Sequence, residues 1–500
     1  DGMANLQFLI TTGMVTAGTF LLFWALPTVL VKAAEHVQRF YLRDLHMFTV
    51  RQVASRINSS SAAMGVTAMV LFLAVTSVTT GMAVATSLND SLERCNPYTA
   101  SVNAFYFSAG DEANMAHDDG VPSAAATAPV DMVAQYRSHG IDFSPYGART
   151  AQANTYDQYA VDGSGSVPPS SLLDISREAG CEGYWKAAGI DESSAGTSIP
   201  TLEPLSSYNA TRELLGMEPV SLEPGHAIVT CDLQGYFTDF WDAVLSSRRP
   251  LTVAGRQLTV DSMVSDKSAS LSDSGTGQNT GTFVVPDEDV AGLAPATSYL
   301  QFMVPAEQVD AFDDYFEGHA LPASSLVEQG VDEQQASLAN WFMVDGRAVG
   351  ALTFQVTFAQ QRQSSGSLTG LVGYMAVYIG FVLVMSVAAV LAIQMLSGVA
   401  DSSGRYRLLD ELGCPRGLQD RSLFSQVLFY FLLPLAVGVA HSAVALTKVG
   451  EIVSLVTPFD IVGATAMGSL VFVVVYGGYM VVCWALSAST VHRATAVARR

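Results

Sequence analysis

Residues 62–86 read AAMGVTAMVLFLAVTSVTTGMAVAT. These twenty-five residues contain no Asp, Glu, Lys or Arg. A helix needs roughly 20 apolar residues to cross bilayer hydrocarbon. A core helix of a water-soluble domain keeps a polar face, and this stretch has none. Four more runs have the same character: 8–31, 370–396, 423–446 and 461–491. Five membrane spans are therefore expected, with 62–86 as the second.

The flanks of 62–86 differ sharply. Upstream, residues 33–62 read AAEHVQRFYLRDLHMFTVRQVASRINSSSA. Phe40, Tyr41, Leu45, Phe48 and Val53 recur at helical spacing, with Arg39, Arg43, Arg51 and Arg56 between them. That pattern suits a helix lying in the membrane interface. Lys32 and these arginines, then Arg405, Arg407, Arg416 and Arg421, then Arg493, Arg499 and Arg500, load alternate connections with positive charge. The loop 448–460 carries only Lys448 against Glu451 and Asp460. Positive connections stay in the cytoplasm. Segments 33–61, 397–422 and 492–500 are thus expected inside, and 87–368 and 448–460 outside, on a multi-pass protein of the cell membrane.

Downstream, residues 87–368 hold 12 Lys+Arg against 37 Asp+Glu, a net charge of −25. The whole 500-residue chain carries −21, so its acidity lies in this segment. Charged residues make up only 14% of the chain, below the roughly 25% usual for soluble domains. No basic patch suits nucleic acid. The segment is long enough for its own core. HAIVTCDL (226–233), TFVVPDE (282–288), YLQFMVP (299–305) and ALTFQVTFA (351–359) read as strands. SSLLDISREAG (170–180), SYNATRELLG (207–216) and PAEQVDAFDDYFEGHA (305–320) read as helices, with polar loops at 111–128 and 265–281. The expected fold is an α-helical transmembrane bundle of five spans, with a large α+β extracellular domain inserted between spans two and three. Of its cysteines, Cys181 and Cys231 form the expected disulfide, leaving Cys95 free; an exported domain permits one. Residue 1 is Asp, which suggests a fragment or a processed chain.

Between the third and fourth spans lies DSSGRYRLLDELGCPRG (401–417). Asp401, Ser402 or Ser403 suits a helix N-cap, Gly413 the C′ position, and Pro415 the stop. Arg405, Tyr406, Arg407, Leu408, Leu409 and Leu412 would form two exposed turns, with Leu408 and Leu412 on one face. A short helix of this definition suits docking to another protein.

Chemistry is sparse elsewhere. There is no GxxxxGK[ST], HExxH or GxSxG, so neither ATP hydrolysis nor another enzyme activity is expected of this chain, and no cofactor or metal. DGSGSV (162–167) reads as a turn. His117, His139, His226 and His319 are scattered, and HDDG (117–120) reads as a solvated loop. His441 falls inside the fourth span, where a neutral imidazole hydrogen-bonded to a neighbouring helix is the plainer reading than a proton relay.

Taken together, one span, a large outer domain, and three spans with a cytoplasmic helix between the second and third resemble an FtsX-like module of MacB-type ABC transporter permeases. RDLHMFTVRQVASRINSSSAAMGVTAMVLFLAV (43–75), GRYRLLDELGCP (404–415) and SLFSQVLFYFLLPLAVGVAHS (422–442) resemble bacitracin- and lantibiotic-resistance permeases. SYNATRELLGMEPVSLEPGHAIV (207–229) and FVVPDEDV (283–290) resemble parts of their outer domain. Such permeases have ten spans, so this chain would be the C-terminal half, with 8–31 belonging to the region of the missing N-terminal half. The resemblance implies a separate ABC ATPase subunit, coupled through the helix containing Arg405–Gly413. It implies mechanotransmission to the outer domain, antibiotic resistance, and a cationic peptide antibiotic or its complex with a lipid cell-wall precursor as ligand. A membrane histidine kinase is a further implied partner. Two other roles share the architecture: an FtsX-like permease for lipoprotein handling or cell-wall hydrolase activation, and a receptor without transport.

Overall fold

Among the described residues, five helices are long and apolar enough to cross a membrane: Ile10–His36, His46–Cys95, Phe358–Glu411, Arg416–Gly450 and Val474–Thr495. The computed structural model describes residues 2–108, 122–161, 169–274, 277–319, 341–453 and 461–498. Two compact units result. The helical one comprises Asp1–Thr86, Gly370–Ile452 and Phe459–Arg500; the α/β one comprises Ser87–Thr369 and Val453–Pro458.

The chain begins with α1 (Gly2–His36), the single turn α2 (Gln38–Tyr41) and α3 (His46–Cys95). Ser60 interrupts α3 with non-helical backbone angles (φ −124°, ψ 18°). The hydroxyls of Ser59 and Ser60 both donate to the Arg56 carbonyl at 2.9 Å, competing with the helical ladder and bending it. The kink falls where the basic, amphipathic segment gives way to the uncharged one.

The α/β unit contains β1 (Ala100–Tyr106), α4 (Met132–Ser138), β2 (Arg149–Ala160), α5 (Leu172–Ala179), α6 (Tyr184–Ala187), α7 (Glu192–Thr197), β3 (Thr201–Pro204) and α8 (Leu205–Leu214). It continues with β4 (His226–Thr230), α9 (Tyr236–Ser247), β5 (Leu251–Val253), β6 (Arg256–Val264), β7 (Thr282–Val285), β8 (Leu293–Met303), α10 (Val309–His319), β9 (Trp341–Val344) and β10 (Arg347–Thr357). Each strand and helix expected from sequence is present within a few residues. The ten strands among the described residues join one mixed sheet in the order β5-β6-β4-β7-β3-β2-β8-β1-β10-β9. The β3–β7 and β4–β6 pairs are parallel and the others antiparallel.

Two hydrophobic cores cover one face of this sheet. Leu202, Val229, Phe283, Trp185 and Trp241 anchor the first. Val102, Leu300, Phe302, Phe312 and Phe143 anchor the second. Tyr156 pairs with Leu202 and Gln152 with Leu300, and both lie on the same side of β2 because side chains alternate. The polar loop 265–281 turns inward over much of its described part. Ser268, Ser270, Asp273 and Asn279 are buried. Tyr98 donates to the Ser270 carbonyl at 2.6 Å, and Gln301 to that of Leu271 at 2.9 Å. The loop 109–121, with His117 and HDDG, and the turn 162–168 lie outside the described residues.

Three long helices follow, α11 (Phe358–Glu411), α12 (Arg416–Val453) and α13 (Ile461–Ala498), and from Gly370 onward they supply the rest of the helical unit. Met64, Ala68, Leu71 and Val78 of α3 pack with Val384, Leu391 and Met395 of α11 and Val427 and Phe431 of α12. Small residues set these distances. A Cβ at Gly81 would stand 2.0 Å from that of Ala376, and one at Gly380 2.2 Å from Val78 Cγ2. At Gly438 a Cβ would meet the Ala68 carbonyl oxygen at 3.0 Å.

One expectation is corrected here. The segment 401–412 is not a separate capped helix: α11 runs without a break from Phe358 to Glu411. Asp401, Ser402 and Ser403 are interior residues. The Ser402 hydroxyl donates back to the Gly398 carbonyl at 2.8 Å, so it caps nothing. The expected stop is present. Gly413 adopts φ +81°, and its N–H donates to the Asp410 carbonyl at 3.0 Å. Cys414 N–H reaches Leu409 O at 2.9 Å, and α12 begins immediately after Pro415.

Candidate functional site

The basic connections, far apart in sequence, meet at one end of the helical unit. Phe48 of α3 stacks edge-on against Tyr406 of α11 at 5.5 Å. Thr49 and Ser422 hydroxyls lie 2.7 Å apart, joining α3 to α12. His492 Nε2 of α13 meets Asp420 Oδ1 at 2.8 Å. Thus the α2–α3 region, the α11–α12 turn and the end of α13 share one pole, as the charge pattern requires if it lies on a single side of a membrane.

At that pole the expected docking residues separate into two sets. Arg405, Arg407, Leu408, Leu412 and Gly413 are exposed, Leu408 at 57% and Leu412 at 75%. Tyr406 and Leu409 point the other way. Tyr406 is fully buried, and Leu409 packs against the helical core, so neither presents a surface to a partner. Arg407 is held by Glu411 one turn on, at 3.0 Å. Arg405 instead borders an open groove of about 240 Å³ with Met47, Phe48, Arg51 and Gln52.

Beneath the exposed turn lies a hydrogen-bonded base. Gln426 Nε2 donates to the Tyr406 hydroxyl at 2.7 Å and to Ser422 Oγ at 3.3 Å. Arg56 donates to Ser402 Oγ at 3.0 Å and to Met395 Sδ at 2.8 Å. Tyr430 donates to Gln394 Oε1 at 2.9 Å. Every bond crosses between α3, α11 and α12 or braces the residues that do. A displaced tip therefore cannot move independently of those helices without breaking buried polar contacts. Sequence reading takes Arg56 only as a flanking positive charge and passes over Gln426 and Ser422, because isolated polar residues near a span end resemble ordinary flanking residues.

His441 is half-buried in α12, with Nε2 2.9 Å from Thr19 Oγ1 of α1. Ser442 beside it donates to the Phe72 carbonyl at 3.2 Å. This is a helix-to-helix contact of a kind found among interior polar residues of membrane bundles.

In the α/β unit the thiols of Cys181 and Cys231 are free, contrary to the expected pair. Cys231 is buried at the end of β4 and donates to the Leu233 carbonyl at 3.4 Å; Cys181 is partly exposed after α5. Among the described residues, no group of three or more His, Cys, Asp or Glu gathers for a metal ion. The buried carboxyls serve the packed loop and the sheet. Asp232 accepts from Gln278 N, Asn279 N and Ser270 Oγ, and burial pushes its carboxyl up to about 6 against those hydrogen bonds. Burial pushes the Glu203 carboxyl up to about 8 although Ser207 donates to it. Between the two cores an open groove of about 480 Å³ runs over β2, lined by Thr150, Gln152, Asn154 and Tyr156, with Asp131 at its rim.

No protein-family model matches this chain, and no curated protein matches it.

Proposed function

We propose that this chain is the C-terminal half of an FtsX-like, MacB-type permease, which couples ATP hydrolysis on a separate subunit to movement of its α/β unit. One observation carries the reading: α11 ends in an exposed turn of leucine and arginine whose base, Tyr406, is buried and bonded to the neighbouring helices. An exposed apolar-basic tip on a braced base is what a force-transmitting contact requires. The sequence resemblance of 404–415 and 422–442 to coupling segments supports the same assignment.

In this reading the pole with the basic residues faces the cytoplasm of a cell membrane. Arg407, Leu408, Leu412 and Gly413 seat in the ATPase subunit, and residues 87–368 lie outside. The strong negative charge of that segment favours a cationic peptide antibiotic, alone or with a lipid cell-wall precursor, and the role is resistance. The chain itself hydrolyses no ATP.

The test is the double variant Arg407→Glu with Leu412→Glu, assembled with the ABC ATPase subunit that this reading requires. Normal membrane insertion with loss of stimulated ATP hydrolysis and of resistance is expected. Unchanged coupling in that variant would sink the assignment.

A further inference from the structure

We propose that the groove lined by Met47, Phe48, Arg51, Gln52 and Arg405 holds the phosphate headgroup of an anionic phospholipid. Four observations converge on it.

The first is charge. Two guanidinium groups border the groove and no carboxylate lines it. Arg405 makes no ion pair among the described residues. Arg51 donates to the Tyr41 hydroxyl at 3.0 Å and meets Glu35 only at 3.9 Å, a separation at which an exposed pair contributes little. Arg51 and Arg405 are both exposed, so their remaining N–H groups are open to a phosphate, which guanidinium binds bidentately.

The second is a reserve of unneutralised charge behind the groove. Arg56 lies four residues beyond Gln52 on the same helix face and is bonded to a thioether and a hydroxyl, not to a carboxylate.

The third is depth. Glu35, beside Arg51, is four residues past the end of the uncharged run 8–31. At 1.5 Å per residue that is about 6 Å. The headgroup layer on each side of a bilayer is roughly that thick.

The fourth is the shape of the lining. Phe48 and Met47 form an apolar wall, and Met47 is exposed beside the polar groups, as are Leu42 and Val37 nearby. A lipid presents this same combination, an anion joined to hydrocarbon. A docking acidic protein offers the charge without the chain. Basic pockets between helices on the cytoplasmic side of a membrane are suited to such headgroups.

The inference rests on the membrane reading of the five helices and not on the ATPase assignment. The full chain, purified in detergent and stripped of lipid, is offered phosphatidylglycerol or phosphatidylcholine, and bound lipid is counted by native mass spectrometry. Phosphatidylglycerol is expected to be retained and phosphatidylcholine not. Arg51→Gln with Arg405→Gln is expected to weaken retention at least about tenfold, a loss of about 1.4 kcal/mol. Arg405→Gln alone, at an exposed residue with no partner to lose, is expected to weaken it in a fully folded protein. Arg416→Gln, exposed at the same pole but outside the groove, is expected to change nothing. Equal retention of both lipids, or of phosphatidylglycerol by the wild type and Arg405→Gln, overturns the proposal. So does complete displacement by millimolar inorganic phosphate, which would mark a site for free anions. Unchanged lipid retention with loss of ATPase binding would assign the groove to a protein interface instead.

Discussion

Arg56 and Ser402 are 346 residues apart in sequence and 3.0 Å apart in space, the guanidinium donating to the hydroxyl. The contact joins the helix that precedes the α/β segment to the helix that follows it, one turn from the Ser60 kink. It also explains why Ser402 cannot cap a new helix: its oxygen already accepts from Arg56, and its proton goes to Gly398. The helix continues to Glu411, and the exposed turn becomes the end of a 54-residue element.

That continuity makes Gly404 an ordinary interior glycine. Nothing lies within 4 Å of where its Cβ would stand. Gly404→Ala should leave the fold intact and raise helix stability by about 0.5–1 kcal/mol. Gly81→Val should do the reverse, since its side chain would occupy the space of Ala376. Thermal unfolding of the two variants in detergent checks both signs. A destabilised Gly404→Ala would mean that α11 bends there.

The buried base and the exposed tip should separate in mutagenesis. Tyr406→Ala removes a fully buried ring and should cost about 3–5 kcal/mol, in the range of other buried aromatics. Tyr406→Phe removes only the hydroxyl, with its hydrogen bond from Gln426, and should cost about 1 kcal/mol. Leu412→Ala, at a 75% exposed position, should leave the melting temperature unchanged and, if the proposed function holds, weaken capture of an ABC ATPase subunit. A stability loss at Leu412 equal to that at Tyr406 would contradict the division into base and tip.

These distinctions mark what a sequence can and cannot disclose. The five apolar helices were legible because length without charge is a one-dimensional property, and the Gly413–Pro415 stop because it depends on local backbone conformation. The start of the helical segment at 401–412 is not legible because Ser and Asp look the same at an N-cap and in a helix interior; Arg56 decides between them. Strand β2, RTAQANTYDQYA, went unnoticed because Ala, Asn and Gln are poor strand formers, although it lies in the middle of the sheet between β3 and β8. Its Gln152 and Gln158 are held by backbone groups of other segments, Val130, Met132, Ser170 and Pro200, partners that no local pattern announces.

The thiols give a direct chemical check. Burial pushes both the Cys181 and Cys231 thiols up, so neither is a thiolate at neutral pH. A maleimide should label Cys181 slowly in the native protein and Cys231 only after denaturation. Non-reducing peptide mapping should recover both as free. A cross-linked 181–231 peptide from protein kept oxidising throughout would restore the disulfide expectation.

The α/β unit should lose stability as pH rises from about 5 to 8. Glu203 is buried beneath α8, with one oxygen accepting from Ser207 and the other, Oε2, without a hydrogen-bond partner among the described residues. Its carboxyl is pushed up to about 8, against 4.5 in an exposed chain. In that interval the folded state keeps the proton while the unfolded state releases it. Such a group's stabilising contribution is complete below about 4.5 and is lost as pH climbs to about 8. Asp232, pushed up to about 6, and Asp273, also raised by burial, act with the same sign. Glu203→Gln removes the titration while keeping the side chain's shape and a partner for Ser207. The variant should therefore match the wild type near pH 5 and exceed it near pH 8, by an amount on the order of a few kcal/mol. Its pH slope should be shallower but not flat, because the two aspartates remain. Trp185 and Trp241, both buried in this unit, report its unfolding by fluorescence. Parallel pH profiles for wild type and variant would show that Glu203 is ionised in the fold, and the search for its counter-charge would then begin at Oε2.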